Sequence, residues 1–190
     1  MRALERFPGV GPRSAERMAL HVLRSPREEV AELAMALRDA RIETLRCDTC
    51  GNITLQSPCG ICADESRKRD VVCVVEGPRE VEKLESAGVH QGLYHVLLEG
   101  LAPREGAEPD ASSLDALRKR VKKGEVQEVV LATAPDREGE GAARRVLESL
   151  QDLEVRITRL ARGVPSGIRL EYLHGDVLAD AYQGRRPLDD

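Results

Sequence analysis

Residues 71–76 read VVCVVE, an unbroken apolar run that ends in a carboxylate. A strand buried on both faces of a parallel sheet has this continuous apolar pattern. Other short apolar segments follow along the chain, and helical segments lie between them. Helices are predicted near 78–87, 112–123, 138–150 and 176–183, and further strands near 93–98, 129–133 and 155–160. This alternation predicts an α/β fold, a mostly parallel sheet with helices on both faces.

Carboxylates follow two of these predicted strands. Glu76 ends the first strand, and residues 134–140, APDREGE, follow the strand near 129–133. The ends of parallel strands meet at one rim, where ligand sites form. Glu76, Asp136 and Glu138 are therefore candidate ligands at one acidic rim of the sheet.

Four of the five cysteines form two close pairs. Cys47 and Cys50 are separated by two residues, as are Cys59 and Cys62, and eight residues lie between the pairs. This is the spacing of a zinc knuckle whose four sulfur ligands complete a tetrahedral shell, and such a closed site is structural. Disulfides are the alternative, which a cytoplasmic setting disfavours. Cys73 lies within the first strand and is interpreted as core packing.

Residues 7–15 read FPGVGPRSA, which has the form of a helix-hairpin-helix. Gly9 and Gly11 permit a tight turn and expose amides at a helix start, where a phosphate oxygen can bind. Arg13 and Arg17, followed by His21 and Arg24, lie along one helical face. The alternative is a plain helical turn with a solvated basic face, and His21 alone is more typical of packing or capping. Ser25 is predicted to cap the next helix, with Pro26 at its first position and Glu28 completing a capping box.

Charge is unevenly distributed. Residues 1–27 contain six Arg against Glu5 and Glu16, a net of +4, although the whole chain carries −4. The other 163 residues therefore sum to −8, so nucleic-acid contact is expected to begin at the N-terminus. Aromatic residues make up only 2%, which favours backbone contact over stacking on bases. The basic run at 118–123 is typical of a solvated face, with a second DNA-facing patch as the alternative.

No apolar run approaches the length of a membrane-spanning helix, and the Arg-containing start does not have the form of a signal peptide. The sequence therefore predicts a cytoplasmic protein without membrane association. The expected organisation is a helix-hairpin-helix region at 1–45, a four-cysteine zinc finger at 46–64, a sheet domain at 70–165 and a C-terminal segment with a short helix at 166–190.

The sheet with its carboxylates resembles the Toprim domain of topoisomerases, primases and repair proteins, in which a Glu after one strand and a D-x-D after another hold magnesium. Ala134 stands where the first Asp of that D-x-D would be. Because Mg²⁺ wants several oxygen ligands in octahedral geometry, the resemblance implies that Glu76, Asp136 and Glu138 form a weak magnesium site or a partner-binding rim. Taken in order, hairpin, cysteines and sheet resemble the RecR family over nearly the whole chain. Residues 58–62 (PCGIC), 74–76 (VVE), 92–97 (GLYHVL), 161–165 (ARGVP) and 170–172 (LEY) carry the resemblance.

Membership of that family implies a recombination mediator in DNA repair. The resemblance implies a ring-like oligomer, a tetramer or dimer, that clamps duplex, gapped or junction DNA and acts with RecO and RecF to load RecA. It implies no catalysis, DNA contacts at Arg13 and Arg17, and a RecO-binding role for the acidic rim at Glu76. The alternatives are a magnesium-dependent Toprim nuclease or topoisomerase-like enzyme, and a zinc-ribbon adaptor that binds only protein.

Overall fold

The computed structural model describes residues 1–97 and 111–187. The chain divides into two compact units, Met1–Leu45 and Arg46–Asp190. Residues 99–111, between the strand predicted near 93–98 and the helix predicted near 112–123, lie almost wholly outside the described residues. Leu98, which was expected to end the second strand, and the last three residues of the C-terminal segment lie outside them as well.

The first unit is helical. A 3-10 turn at Leu4–Arg6 precedes helix α1, Pro12–Arg24, and helix α2, Arg27–Glu43. Proline at the first position of α1 suits a helix start, because its missing N–H would have no helical partner there. Ala15 is the one buried residue of this unit, all of which the structure describes.

The prediction that Ser25 caps α2 is wrong. Its backbone N–H and its hydroxyl both donate to the His21 carbonyl, each at 3.0 Å, and no side chain caps α2, whose N-cap residue is Pro26. The Ser25 hydroxyl adds a second donor to the carbonyl that already accepts the Ser25 amide, so it serves the C-terminal end of α1 rather than the amides ahead of it.

The second unit is the predicted α/β fold. A two-stranded ribbon, β1 at Leu45–Arg46 with β2 at Ile53–Thr54, and a one-turn helix, α3 at Gly60–Ala63, come first. Four strands then form a parallel sheet in the order β4-β3-β5-β6. They are β3 (Val71–Val75), β4 (Leu93–Val96), β5 (Glu128–Leu131) and β6 (Arg156–Arg159), and the helices are α4 (Pro78–Ala87), α5 (Ala111–Lys122), α6 (Arg137–Leu150) and α7 (Gly175–Gln183).

Helices pack on both faces of this sheet. Val72 and Val74 of β3 belong to a cluster with side chains of α5 and α6, among them Leu117 and Val146. The alternate residues of β3 pack in a second cluster with Val81 of α4. Both sets of β3 side chains are buried because the side chains of a strand point alternately to the two faces. The predicted mostly parallel sheet with helices on both faces is confirmed.

Across residues 1–97 and 111–187, every helix is too short or too polar to span a lipid bilayer.

Candidate functional site

The four paired cysteines come together in a buried cluster. Cys47 and Cys50 flank the turn between β1 and β2, Cys59 is the N-cap residue of α3, and Cys62 lies within α3. Their sulfur atoms all lie within 4.8 Å of one another, and the side chains are at most 6% exposed. Cys50 Sγ lies 3.7 Å from Cys59 Sγ, close to the ~3.8 Å between thiolates bound tetrahedrally at ~2.3 Å from a zinc ion. The four thiols could therefore hold a metal ion.

The cluster contains no disulfide. All five cysteines of the chain are free, and 3.7 Å between Cys50 and Cys59 far exceeds a sulfur–sulfur bond of about 2.05 Å. The fifth thiol, Cys73, lies in the apolar cluster under α4, where burial raises its pKa to about 12. It is a neutral packing group in the core, as the sequence predicts.

Backbone amides prepare one of the sulfurs for its ionised form. Burial by itself raises the pKa of Cys47, but N–H groups of Cys59, Cys50 and Thr49 outweigh it and lower the pKa to about 6. The Cys59 amide donates to Cys47 Sγ at 3.3 Å. The pKa of Cys50, the other thiol of the first pair, is raised instead, first by the hydrogen bond of Cys50 with Cys62 and then by burial. In the absence of a cation the four thiols cannot all ionise, which is the behaviour expected of ligands crowded into a metal site.

The N-terminal turn places its arginines at the start of α1. Gly9 has a φ of +76°, a left-handed conformation that favours glycine, and Gly11 is the N-cap residue of α1, which no side chain caps. Arg13 and Arg17 are exposed one helical turn apart, and neither forms an ion pair with any residue in 1–97 or 111–187. His21 and Arg24 continue the exposed face.

Two of the carboxylates at the acidic rim already accept backbone amides. Glu76 Oε1 accepts the amide of Ala134 at 2.7 Å, and Asp136 caps α6 by accepting the Gly139 amide at 2.8 Å. Burial raises the pKa of Glu76, the Ala134 amide lowers it, and Asp136, Glu80 and Glu138 raise it further. Glu138 lies in the first turn of α6.

No three of these carboxylates, all of them among the described residues, lie close enough together to share an ion. Among the residues described, the four cysteines are the one group of three or more potential ligand atoms close enough to share an ion.

Sequence reasoning missed Arg120. Interpreted as part of a solvated basic run, it instead turns inward from α5 and donates to the Tyr94 carbonyl at 2.8 Å. A signal was available, because Arg120 is three residues from the fully buried Leu117 and adjacent to Val121, and so borders the apolar stripe of α5. Tyr94 and His95 of β4 are both buried, with exposures of 1% and 2%.

The fold and these sites define a class: a Toprim-type α/β protein that carries an N-terminal helix-hairpin-helix and a four-thiol module. Two family models match in that arrangement, the RecR helix-hairpin-helix at residues 1–41 and a Toprim domain at residues 70–161. The recombination protein RecR of Desulforudis audaxviator is 45% identical over 96% of this chain and 92% of its own length. RecR of Rhodopirellula baltica is 43% identical over 97% and 93% respectively, and RecR of Rubrobacter xylanophilus 42% over the same shares. The chain belongs to the RecR family of recombination proteins.

Proposed function

We propose that this protein is a non-catalytic recombination mediator in DNA repair, an oligomeric clamp that binds duplex, gapped or junction DNA. The observation that carries the proposal is the pair Arg13 and Arg17, exposed without ion-pair partners in the described chain, at the start of a helix that follows a glycine turn. Free helix-start amides and unpaired guanidinium groups are the groups that bind phosphate. In a chain with a net charge of −4, the local excess of +4 over residues 1–27 directs DNA to this end.

The metal that we propose for the four-cysteine cluster is zinc. Cys47, Cys50, Cys59 and Cys62 supply four sulfur ligands, which leave no position open for water or substrate. The ion would therefore stabilise the loops that carry the cysteines and take no part in a reaction. A module with so little apolar core depends on such a cross-link.

The proposed assembly is a homo-tetramer or homo-dimer. Exposed apolar side chains on α1 and α2 support it: Leu23 is 80% exposed and Ile42 68%, and the whole unit buries only Ala15. Two helices that leave most of their apolar surface uncovered are poorly stable alone, and contact with a second copy would cover that surface.

The acidic rim is proposed to bind a partner rather than to catalyse. In the proposed role the protein acts with RecO and RecF to load RecA at gapped DNA, and Glu76, Asp136 and Glu138 contribute to the RecO contact. Magnesium at this rim would bind weakly, because Glu76 and Asp136 already accept backbone amides and Ala134 supplies no ligand. A nuclease or topoisomerase mechanism has little support from this geometry.

Charge reversal tests the proposal. We expect the double variant Arg13→Glu/Arg17→Glu to bind a gapped oligonucleotide at least tenfold more weakly at low salt. Each phosphate contact that is lost means that fewer counterions are released on binding, and this release favours the complex. Fluorescence anisotropy of a labelled oligonucleotide measures the affinity. The control is Arg79→Glu/Lys83→Glu, which changes the net charge equally on the exposed side of α4. Equal affinities for the two variants would contradict the DNA-binding proposal, and Mg²⁺-dependent nicking by the wild type would contradict the absence of catalysis.

A further inference from the structure

The outer edge of β4 carries two attachments side by side. The Val96 N–H donates to the Cys50 carbonyl at 2.8 Å, and the Tyr94 carbonyl accepts Arg120 Nη1 at 2.8 Å. Residues two apart in a strand direct their backbone groups to the same edge, and β4 is an edge strand of the four-stranded sheet. The Arg120 guanidinium and the Cys50 loop are therefore neighbours along one strand.

Arg120 is a buried cation with unused hydrogen-bonding capacity. Its Nη2 is inaccessible to solvent and has no hydrogen-bond partner. Burial lowers the pKa of Arg120, whereas the charges of Cys62, Cys50 and Cys47 act in the opposite direction. Since a guanidinium stays protonated in proteins, this group is a fixed positive charge that requires a nearby anion.

The thiol cluster becomes that anion when zinc is bound. Four thiolates around one Zn²⁺ leave a net charge of about −2 in a site that excludes water. Each of the four cysteine side chains is at most 6% exposed, so solvent cannot neutralise this charge. A buried charge of this kind is retained only when it is paired.

We propose that Arg120 is the outer-sphere counter-cation of the zinc–thiolate site and, by its bond to the Tyr94 carbonyl, holds that site against the edge of the sheet. The inference rests on the zinc assignment made under the proposed function. Arg120 touches no metal: it is a positioning residue, which acts through the thiolates and through β4. It makes the four-cysteine module an integral part of the sheet unit.

Zinc release tests the proposal. The rate of zinc transfer from wild type and variants to a chelating dye is measured at a temperature at which circular dichroism shows every protein folded. We expect Arg120→Gln, which loses the charge and is too short to donate to the Tyr94 carbonyl as Arg120 does, to release zinc about 10- to 100-fold faster, in line with the affinity lost when an outer-sphere partner is removed. Arg120→Lys restores the charge and should release zinc at close to the wild-type rate.

Arg118 supplies the matched control on the same helix. It pairs with Asp152, and residues two apart in a helix do not share a face, so Arg118→Gln should leave zinc release unchanged. Release from Arg120→Gln as slow as from Arg118→Gln would overturn the proposal, and so would an Arg120→Lys protein that releases zinc as fast as Arg120→Gln. Elemental analysis separates this failure from that of the zinc assignment, because a wild-type protein without zinc overturns both, whereas zinc-loaded protein insensitive to Arg120 overturns this inference alone.

Discussion

His95 is a histidine that the fold keeps neutral. Its Nε2 lies 3.0 Å from the Ser113 carbonyl, to which it must donate, and its Nδ1 is buried without a partner. Protonation would add a second buried donor that has nothing to bind. Burial, with Arg120 and Arg46 nearby, lowers the pKa of His95 to about 4, although the Ser113 carbonyl opposes the shift.

We therefore expect His95 to stay uncharged in the folded protein at pH 5.5, where most exposed histidines are protonated. Between pH 6.5 and about 4 the unfolded chain takes up a proton that the folded protein refuses. The contribution of neutral His95 to the free energy of unfolding is therefore fully present above pH 6.5, and it is lost as the pH falls toward 4. Nuclear magnetic resonance of the ring nitrogens measures the charge state, with the urea-unfolded protein as the reference. A His95 ring that titrates in the folded protein as it does in urea would contradict this account.

The start of helix α6 shows how one element holds the acidic rim in place. Asp136 caps the helix, and Gly139 passes so close to Ala134 that a Cβ at Gly139 would lie 2.8 Å from the Ala134 carbonyl carbon and nitrogen, and closer still to its oxygen. Backbone atoms cannot move aside as a flexible side chain can. The absence of a side chain at position 139 is therefore required for the turn between β5 and α6.

A pair of substitutions separates this steric requirement from helix propensity. We expect Gly139→Ala to lower the free energy of unfolding by about 2 kcal/mol or more, because the turn must open to admit the methyl group. Two residues further on, a Cβ at Gly141 would have no atom within 4 Å. Gly141→Ala should therefore raise the free energy of unfolding by about 0.5–1 kcal/mol, the gain of alanine over glycine in a helix. Urea denaturation measures both. Equal effects from the two substitutions would show that close packing at Gly139 plays no part.

Elements were predictable wherever one local pattern determined them. The apolar run at 71–75 corresponds residue for residue to β3, because a strand buried on both faces has a continuous apolar pattern. The helix predicted near 138–150 is also present and begins one residue earlier, at Arg137. The four cysteines were predictable as a cluster from their spacing. Contacts between elements were not: no pattern in the sequence pairs the Glu76 carboxylate with the Ala134 amide or turns Arg120 toward β4. The Ser25 hydroxyl could serve either of two helix ends, and sequence alone assigned it to the wrong one.

At the scale of the whole molecule, charge and apolar surface are divided unequally between the units. The unit Met1–Leu45 carries the unpaired arginines and most of its apolar side chains are exposed, whereas the unit Arg46–Asp190 contains the sheet, the thiol cluster and the acidic rim. This division suits a protein in which one unit contacts DNA and other copies while the other holds the fold and a partner surface. A clamp of this kind must contact DNA through Arg13 and Arg17.

The salt dependence of DNA binding tests that claim most directly. The association constant of the wild type and of Arg13→Ala/Arg17→Ala is measured over a range of salt concentrations, and the slope of its logarithm against the logarithm of salt concentration is compared. We predict a shallower slope for the variant, by about 2 for each subunit that contacts DNA, because two phosphate contacts no longer release counterions. Identical slopes and affinities for the two proteins would contradict the account.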